Sequence, residues 1–253
     1  MTPPHRPPPR LLTVLASEPV TPNMRRITFG GPGLDGFPVG QEGGYVKLRL
    51  PLPDGRMAVR TYTIRAQRPG AIEVDFALHA QTASGKAGPA TEWALAAQLG
   101  DTLEVGGPGP AKPLPAGFDC YLLAGDMTAL PAISVNLAAM PADARGYVVI
   151  EVMSEADRVD LPRPAGVEMI YAVVPQPGLA PGTLANRLAV LDWPQDRNYA
   201  WVATEFSSMQ ALRQLLRDEH GMGPDRLYIS SYWKSGLTED AHKVAKREDA
   251  EAQ

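Results

Sequence analysis

The sequence contains a single cysteine, Cys120, in a chain of 253 residues. One cysteine cannot form a disulfide within the chain, and it cannot supply the several thiolates of an iron-sulfur cluster or a multi-cysteine zinc site. Its apolar setting, FDCYLLAG, predicts a small buried side chain at the start of a strand rather than a nucleophile. Any electron transfer in this chain is therefore expected to proceed without a built-in iron-sulfur relay.

Long apolar runs and an excess of positive charge are also lacking. No run approaches the roughly 20 apolar residues of a membrane helix, and the segment MTPPHRPPPR lacks the apolar core of a signal peptide. We therefore expect a cytoplasmic protein without membrane insertion. The net charge is -4, which disfavours nucleic-acid binding. We expect small-molecule partners and a monomer.

Residues 11–106 contain six short segments with strand character, separated by Gly, Pro and Asp. They are LLTVLASEPV, MRRITFGG, GGYVKLRLPL, RTYTIRA, AIEVDFALHA and DTLEVGG. This spacing, with one helical segment before the last strand, predicts a closed or nearly closed six-stranded antiparallel barrel of the Greek-key type. The Pro- and Gly-rich segment 106–118 is interpreted as a linker, so that the first domain is predicted at 1–112.

After the linker, apolar strands alternate with helical segments, beginning with CYLLAGD and TALPAISVNLAAM. This alternation predicts a parallel sheet with crossover helices, in a second domain at 118–253. The charged tail after Gly236 is predicted to be a terminal helix or a partly disordered segment. The expected fold class is therefore β + α/β, a barrel followed by an α/β domain.

Four stretches carry groups suited to a flavin and a pyridine nucleotide. They are RTYTIR, VDFALH with GPATEWA, LLAGDMTALPAI, and YISSYWKSGLTED. A tyrosine ring offers a flat face to an isoalloxazine, a hydroxyl can bond a ring nitrogen, and arginine suits phosphate oxygens. In order and spacing, the four stretches resemble the siderophore-interacting protein family, which comprises flavin-dependent ferric-siderophore reductases related to the ferredoxin reductases.

The resemblance implies an FAD site in the barrel. Tyr62 would stack on the flavin, Thr63 would contact its N5 edge, and Arg60 would hold the pyrophosphate or ribityl side. His79 would lie beside the adenosine. The helix of GPATEWA would give a second pyrophosphate contact, and the cofactor-binding residues implied there are Gly88, Ala90, Thr91 and Trp93. Each motif alone also fits a purely structural role, as an exposed strand with ion pairs, a capped helix or a structural histidine.

The resemblance also places a nicotinamide nucleotide at the turn that follows CYLLAGD. A helix N-terminus at the carboxyl end of a parallel strand is where an open α/β sheet binds ligands. The turn lacks the G-x-G-x-x-G fingerprint, so an ordinary strand-to-helix connection is the alternative. The residues implied at this turn are Gly125, Asp126, Thr128 and Ala129.

A second strand-to-helix switch, from Ala203 to Ser207, contains the next implied cofactor contact, Glu205. The family usually has glycine where Thr204 stands, and a side chain there is expected to narrow the nicotinamide pocket. In EVMSEADRVD, acids around Arg158 would oppose a 2'-phosphate and favour NADH, whereas the resemblance favours NADPH. The donor is left open between these two, and a reduced ferredoxin is a further candidate.

The stretch YISSYWKSG fits a terminal core strand, but the resemblance brings it to the exposed face of the flavin. Trp233 would shield the ring there. Because ferric siderophores are often anionic, the cations Lys47, Arg65 and Lys234 are the candidate substrate-binding residues, although each alone also fits a solvated surface charge. We predict no catalytic acid or base and no metal ligand.

The function that these motifs imply follows from electron counting. A nicotinamide gives two electrons as hydride and Fe(III) takes one, so a flavin must convert between them. We therefore expect NAD(P)H-dependent reduction of a ferric siderophore to Fe(II), with release of iron in the cytoplasm. Two alternatives are a general NAD(P)H:flavin oxidoreductase that acts on quinones or other small acceptors, and a non-enzymatic siderophore carrier.

Overall fold

A computed structural model of the chain describes residues 8–52, 54–78, 87–194 and 197–251. The chain divides into two compact units, unit 1 (Met1–Lys112) and unit 2 (Pro113–Gln253). Among the described residues, no helix is both long enough and apolar enough to span a membrane.

Unit 1 is built on one seven-stranded antiparallel sheet with the order β4-β3-β7-β1-β2-β6-β5. Two residues, Ile64 and Arg65, join the edge strands β4 and β5, and the Arg65 N–H donates to the Glu73 carbonyl of β6. The sheet is therefore nearly closed. The strands are β1 (Arg10–Thr21), β2 (Met24–Gly30), β3 (Tyr45–Pro51), β4 (Met57–Thr63), β5 (Ala66–Arg68), β6 (Ala71–Ala77) and β7 (Thr102–Gly109).

The predicted fold of unit 1 is confirmed, with two differences in its strands. A seventh strand, β5, has three residues, too few for an alternating pattern to reveal it. Strand β7 runs to Gly109, so part of the predicted linker pairs with β3. Gly109 lies so close to the Tyr45 ring that an added Cβ would be 2.1 Å from Cζ. Glycine here permits a close contact inside the sheet rather than a break in it.

The barrel core follows from the alternation of side chains along each strand. In β3, Val46, Leu48 and Leu50 are buried on one face, whereas the intervening residues are partly or fully exposed. Helix α1 (Pro89–Ala96) buries Ala90 and Ala94 against this core. Tyr62 of β4 packs on the same core cluster, so the helix covers the barrel beside Tyr62.

Unit 2 is a five-stranded parallel sheet with the order β10-β9-β8-β11-β12, which confirms the predicted α/β unit. Counted from its first strand the order is 3-2-1-4-5, so the direction of winding reverses between β8 and β11. Ligands bind at such a reversal in open α/β sheets. The strands are β8 (Cys120–Asp126), β9 (Arg145–Val152), β10 (Gly166–Val173), β11 (Asn198–Glu205) and β12 (Leu227–Trp233).

Four helices complete unit 2: α2 (Leu130–Ala138), α3 (Thr183–Ala189), α4 (Phe206–Arg213), which continues into a π-helical segment at Gln214–Glu219, and α5 (Glu239–Glu251). The charged tail is therefore helical. It is fixed to α4 because the Arg213 guanidinium donates to both Asp249 carboxylate oxygens, at 2.6 and 2.8 Å. Cys120, as expected, is a buried first residue of a strand, and burial raises the pKa of its thiol to about 11.

Candidate functional site

The aromatic group of the predicted flavin site lies at the end of β4. The Tyr62 ring is half-buried, and its centroid is 4.4 Å from that of Phe76 on β6. Phe76 in turn contacts Trp93 of α1, with ring centroids 5.9 Å apart. Tyr62 and Trp93 are partly exposed and pack against the fully buried Phe76, so these two rings offer an apolar surface on which a further flat ring can pack.

Two buried hydroxyls lie in the predicted flavin motifs. Thr63 at the end of β4 is 9% exposed, and Thr91 in the first turn of α1 is 5% exposed. Among the residues that the structure describes, no hydrogen-bond partner is found for either hydroxyl. A buried hydroxyl without a partner carries a desolvation cost, and a bound molecule that bonds to it removes that cost. These groups fit the edge and the phosphate side of FAD.

The N-terminus of α1 is open to an anion. Its N-cap residue, Gly88, has an extended backbone, no side chain caps the helix, and an added Cβ on Gly88 would meet no atom within 4 Å. The N–H groups of Ala90 and Thr91 in this first turn have no intrahelical acceptor. Arg60 is half-buried on the same strand as Tyr62, two residues earlier, and one of its N–H groups donates to the Val59 carbonyl at 2.8 Å. These groups fit a pyrophosphate.

The structure does not bring Lys47 together with these flavin groups. Lys47 pairs with Thr61, and its Nζ donates to Thr61 Oγ1 at 3.0 Å. Because neighbouring residues of a strand point to opposite faces, Lys47 and Tyr62 lie on opposite faces of the sheet. Arg65 is half-buried just beyond β4. His79, which is predicted to lie beside the adenosine, is outside the described residues.

The reversal point of unit 2 requires a glycine. A Cβ added to Gly125 would be 2.6 Å from the Ala203 carbonyl oxygen and 2.7 Å from Ala129 Cβ, so β8, β11 and the start of α2 meet closely there. No side chain caps α2, whose N-cap residue is Ala129. Pro131 has no N–H, so the first turn of α2 offers the N–H groups of Leu130 and Ala132 to an anion at the carboxyl end of β8.

Asp126 fixes the reversal point through five hydrogen bonds to its buried carboxylate. One oxygen accepts from the N–H and the hydroxyl of Thr128. The other accepts from Thr204 Oγ1 at 3.1 Å, from the Glu205 N–H at 2.9 Å and from Trp233 Nε1 at 2.9 Å. Asp126 thus connects the turn that follows β8, the strand-to-helix switch that follows β11 and the Trp233 indole of β12. The Thr204 side chain takes part in this hydrogen-bond network.

Glu205 closes the N-terminus of α4. One carboxylate oxygen accepts from the N–H groups of Ser207 and Ser208, and the other accepts from the Ser235 N–H at 3.1 Å. Of the two helices that begin at the reversal point, α4 is capped by a carboxylate of the protein, whereas α2 has no side-chain cap. An anionic ligand at this edge therefore fits α2 and is disfavoured at α4.

Glu151, which none of the sequence motifs indicated, lies next to this network. It pairs in register with Asp126 at the carboxyl end of β9, and it is 6% exposed. No described residue hydrogen-bonds to its carboxylate. Burial and the neighbouring carboxylates of Asp126 and Glu205 raise the pKa of Glu151 to about 7. The available signal was an acid inside the otherwise apolar strand YVVIEV.

Lys234 is held within unit 2 by an aromatic contact. Its Nζ lies 4.0 Å from the centroid of the Phe206 ring, a cation–π geometry. The neighbouring Trp233 is fixed by its bond to Asp126, so the two residues point to different partners. Within the described part of the chain, no three His, Cys, Asp or Glu side chains are grouped to hold a metal ion.

Family models match nearly the whole chain. The siderophore-interacting FAD-binding domain matches residues 13–58 and 51–112, and the siderophore-interacting protein model matches residues 118–236. The chain belongs to the siderophore-interacting protein family. The family predicted from the four motifs is therefore confirmed. The family's FAD-binding domain corresponds to the barrel of unit 1.

Similar proteins agree with this family assignment. Ferric vibriobactin reductase ViuB of Vibrio cholerae is 35% identical, over 92% of each chain. The crystal structure of the siderophore-interacting protein SipS from Aeromonas hydrophila has a TM-score of 0.83 and 34% identity, and covers 96% of this chain and 98% of that one. The NADPH-dependent ferric-chelate reductase of Escherichia coli is 25% identical over 88% of this chain and 92% of that protein.

Proposed function

We propose that this protein reduces ferric siderophores to Fe(II) in the cytoplasm, with electrons that pass from NADH or NADPH through FAD. The observation that carries the proposal is the pair of buried hydroxyls of Thr63 and Thr91, which have no partner among the described residues and lie inside the segment matched as an FAD-binding domain. The family match and the reductases among its relatives bear out the predicted oxidoreductase class with FAD and NAD(P)H.

The residues of unit 1 have distinct proposed tasks. Bound FAD accepts a hydride from a nicotinamide and gives electrons singly to Fe(III). Tyr62 offers the ring a flat apolar face, and the Thr63 hydroxyl bonds its edge. Arg60 and the uncapped first turn of α1, with Thr91, bind the pyrophosphate. The local geometry of each residue permits the task that the resemblance assigns to it.

In unit 2, the uncapped first turn of α2 is the proposed binding site for the pyrophosphate of the nicotinamide nucleotide. Gly125 lets the turn approach β11 closely, and Asp126 holds Thr128 and Trp233 in place. Asp126 and Glu205 act as positioning residues in this proposal, because their carboxylate oxygens are already bonded within the protein. Trp233 remains the proposed shield of the flavin.

The proposed contacts of an anionic ferric siderophore are Lys47, Arg65 and Lys234. The Thr61 hydroxyl holds Lys47 and the Phe206 ring holds Lys234, and neither interaction neutralises the ammonium charge. Electrons from a reduced ferredoxin, in place of a nicotinamide, are the alternative donor in this proposal.

Anaerobic bleaching of the purified yellow protein tests the proposal. We expect NADH or NADPH to bleach the flavin absorbance, and a ferric catecholate or hydroxamate siderophore to restore it while ferrozine captures Fe(II). A colourless protein that takes up no FAD on titration would support the carrier instead. Restoration by quinones or free flavin, but by neither ferric siderophore, would support the general flavin oxidoreductase.

A further inference from the structure

We infer that the carboxyl end of β9 selects a nicotinamide dinucleotide that carries no 2'-phosphate, with Glu151 as the specificity-determining residue, so that NADH is the preferred electron donor. The inference rests on the proposed function, because it concerns the donor that binds at that same reversal point.

The topology places the second half of a dinucleotide over β9. With the winding reversed between β8 and β11, one half of the ligand lies at that crevice and the other extends across the neighbouring strand, β9. Glu151 stands in register with Asp126, one residue before the last residue of β9. An acid near the end of the second strand bonds the ribose 2'-hydroxyl in sheets of this order, whereas an arginine there accommodates a 2'-phosphate.

The Glu151 carboxyl can receive a hydroxyl. Asp126 and Glu205, its two acidic neighbours, accept five and three hydrogen bonds from the protein. Glu151 accepts none from the described residues, although its side chain is buried. Burial of a carboxyl without a partner is costly, and a ribose hydroxyl would supply the partner.

The arginine that could receive a 2'-phosphate is already paired. Arg158 follows β9 and contacts the Glu155 carboxylate twice, with Nε to Oε2 at 2.7 Å and Nη2 to Oε1 at 2.9 Å. Its guanidinium also lies over the Tyr171 ring, 5.7 Å from the centroid. A phosphate would have to displace Glu155 and would meet its negative charge.

The other polar groups of this segment are paired in the same way. Arg163 donates to the Asp160 carboxylate at 2.6 Å. The Ser154 hydroxyl, two residues after the end of β9, donates to the fully buried Asp157 at 2.8 Å. The segment therefore presents acids, and cations already bonded to acids, where a 2'-phosphate would need donors.

The charged groups around Glu151 make the selection depend on pH. The register neighbour of Glu151 on β10 is the uncharged Ala172. Arg187, the charged residue of α3, is exposed. Burial, together with the carboxylates of Asp126 on β8 and Glu205 at the end of β11, raises the pKa of Glu151 to about 7. Above that pH a further negative charge opposes a 2'-phosphate, whereas a neutral 2'-hydroxyl remains a good partner.

Binding of both nucleotides to the flavin-loaded protein tests the inference. We would titrate NAD⁺ and NADP⁺ calorimetrically and measure anaerobic flavin bleaching by NADH and NADPH, at pH 7 and pH 9. We expect the phosphorylated nucleotide to bind about tenfold more weakly at pH 7 and weaker still at pH 9. In Glu151→Gln, the ratio of the two Kd values should be smaller and equal at both pH values.

A second variant tests the same nucleotide selection without a change at Glu151, and a third variant serves as the control. Glu155→Gln removes the partner of Arg158 and should tighten NADP⁺ binding severalfold with little change for NAD⁺. Glu168→Gln removes an exposed acid near the amino end of β10 and should leave the ratio unchanged. Equal or tighter binding of the phosphorylated nucleotide, or a ratio that Glu151→Gln does not move, overturns the inference. Absence of bleaching by either nucleotide overturns the nicotinamide donor of the proposed function instead, and favours the reduced ferredoxin.

Discussion

In unit 1 the buried hydroxyls of Thr63 and Thr91 have no partner among the described residues, whereas in unit 2 the buried carboxylates of Asp126 and Glu205 accept five and three hydrogen bonds. All four were predicted as cofactor contacts from the same kind of motif. Their surroundings distinguish them. A carboxylate that already accepts several hydrogen bonds has few lone pairs left for a ligand, whereas a buried hydroxyl without a bond still needs a hydrogen-bond partner.

The helix N-termini show the same contrast. Helices α1 and α2 have no side-chain cap, whereas Glu205 caps α4. A cap of this kind satisfies the first-turn N–H groups and places a negative charge where an anion would bind. The comparison therefore divides the predicted residues into ligand contacts and positioning residues, and variants of each kind should respond differently.

The largest effect is expected from Asp126→Asn. The variant keeps the size of the side chain but turns an amide N–H₂ toward donors that now lack an acceptor. We expect the free energy of unfolding to fall by about 3 kcal/mol in urea titrations followed by tryptophan fluorescence. Asp119→Asn, which removes an exposed carboxylate bonded to Arg197, should cost less than about 1 kcal/mol. Equal losses in the two variants would contradict the central role of Asp126.

Next in size is a pH effect from Glu151. Its folded pKa of about 7 lies above the ordinary 4.5, so the folded state binds the proton more tightly than the unfolded state does. The stability that this group contributes is complete below pH 4.5 and is lost as the pH rises through 7, by up to about 3 kcal/mol. Urea unfolding at pH 5 and pH 8 should show this loss in the wild type, and Glu151→Gln should show less of it. Identical pH dependence in both would refute the assignment.

Tyr62→Ala should act on flavin binding rather than on the unit 2 network. Loss of the ring removes the flat face proposed for the isoalloxazine, and FAD affinity should fall by about 30-fold in fluorescence titrations. Tyr62→Phe keeps the ring and its contact with Phe76, so its FAD affinity should stay within about threefold of the wild type. An equal loss in Tyr62→Phe would assign the effect to the hydroxyl.

A smaller effect separates the two arginines of RTYTIR. Arg60→Ala should weaken FAD binding by about tenfold, because it removes a charge-assisted phosphate contact. Arg65→Ala should leave the protein yellow and raise the KM for an anionic ferric siderophore. Visible absorbance after gel filtration and steady-state kinetics measure the two outcomes. Loss of flavin from Arg65→Ala would show that the proposed division between cofactor and substrate contacts is wrong.

The sequence predicted the fold well because both units rely on local periodicity. Alternation in β3 and the apolar strand CYLLAGD are read directly from residue order. The strand β5 and the end of β7 were missed because three residues carry no period, and because Gly109 signals a loop although it fits against Tyr45. Composition cannot reveal a close contact with a residue that is distant in sequence.

The candidate site was predicted less completely. Motifs located Asp126 and Glu205. Residue order does not show that five donors converge on the Asp126 carboxylate, or that the Glu205 carboxylate caps a helix. Glu151 was missed for the same reason, since its raised pKa comes first from burial and then from the carboxylates of Asp126 and Glu205, which lie on other strands. Lys47 was grouped with Arg65 and Lys234 by charge, and residue order does not show that it lies on the opposite face of the sheet from Tyr62.

The smallest effects provide the most direct test of the contrast between bonded and unbonded hydroxyls. Thr63→Val and Thr91→Val remove buried hydroxyls without changing shape, so the free energy of unfolding without FAD should change by less than about 0.5 kcal/mol, while FAD affinity falls about fivefold. Thr204→Val removes a hydroxyl bonded to Asp126 and should cost about 1 kcal/mol of stability with no change in FAD affinity. The comparison fails if Thr63→Val and Thr91→Val lose stability as Thr204→Val does and keep their FAD affinity, because their hydroxyls would then be structural.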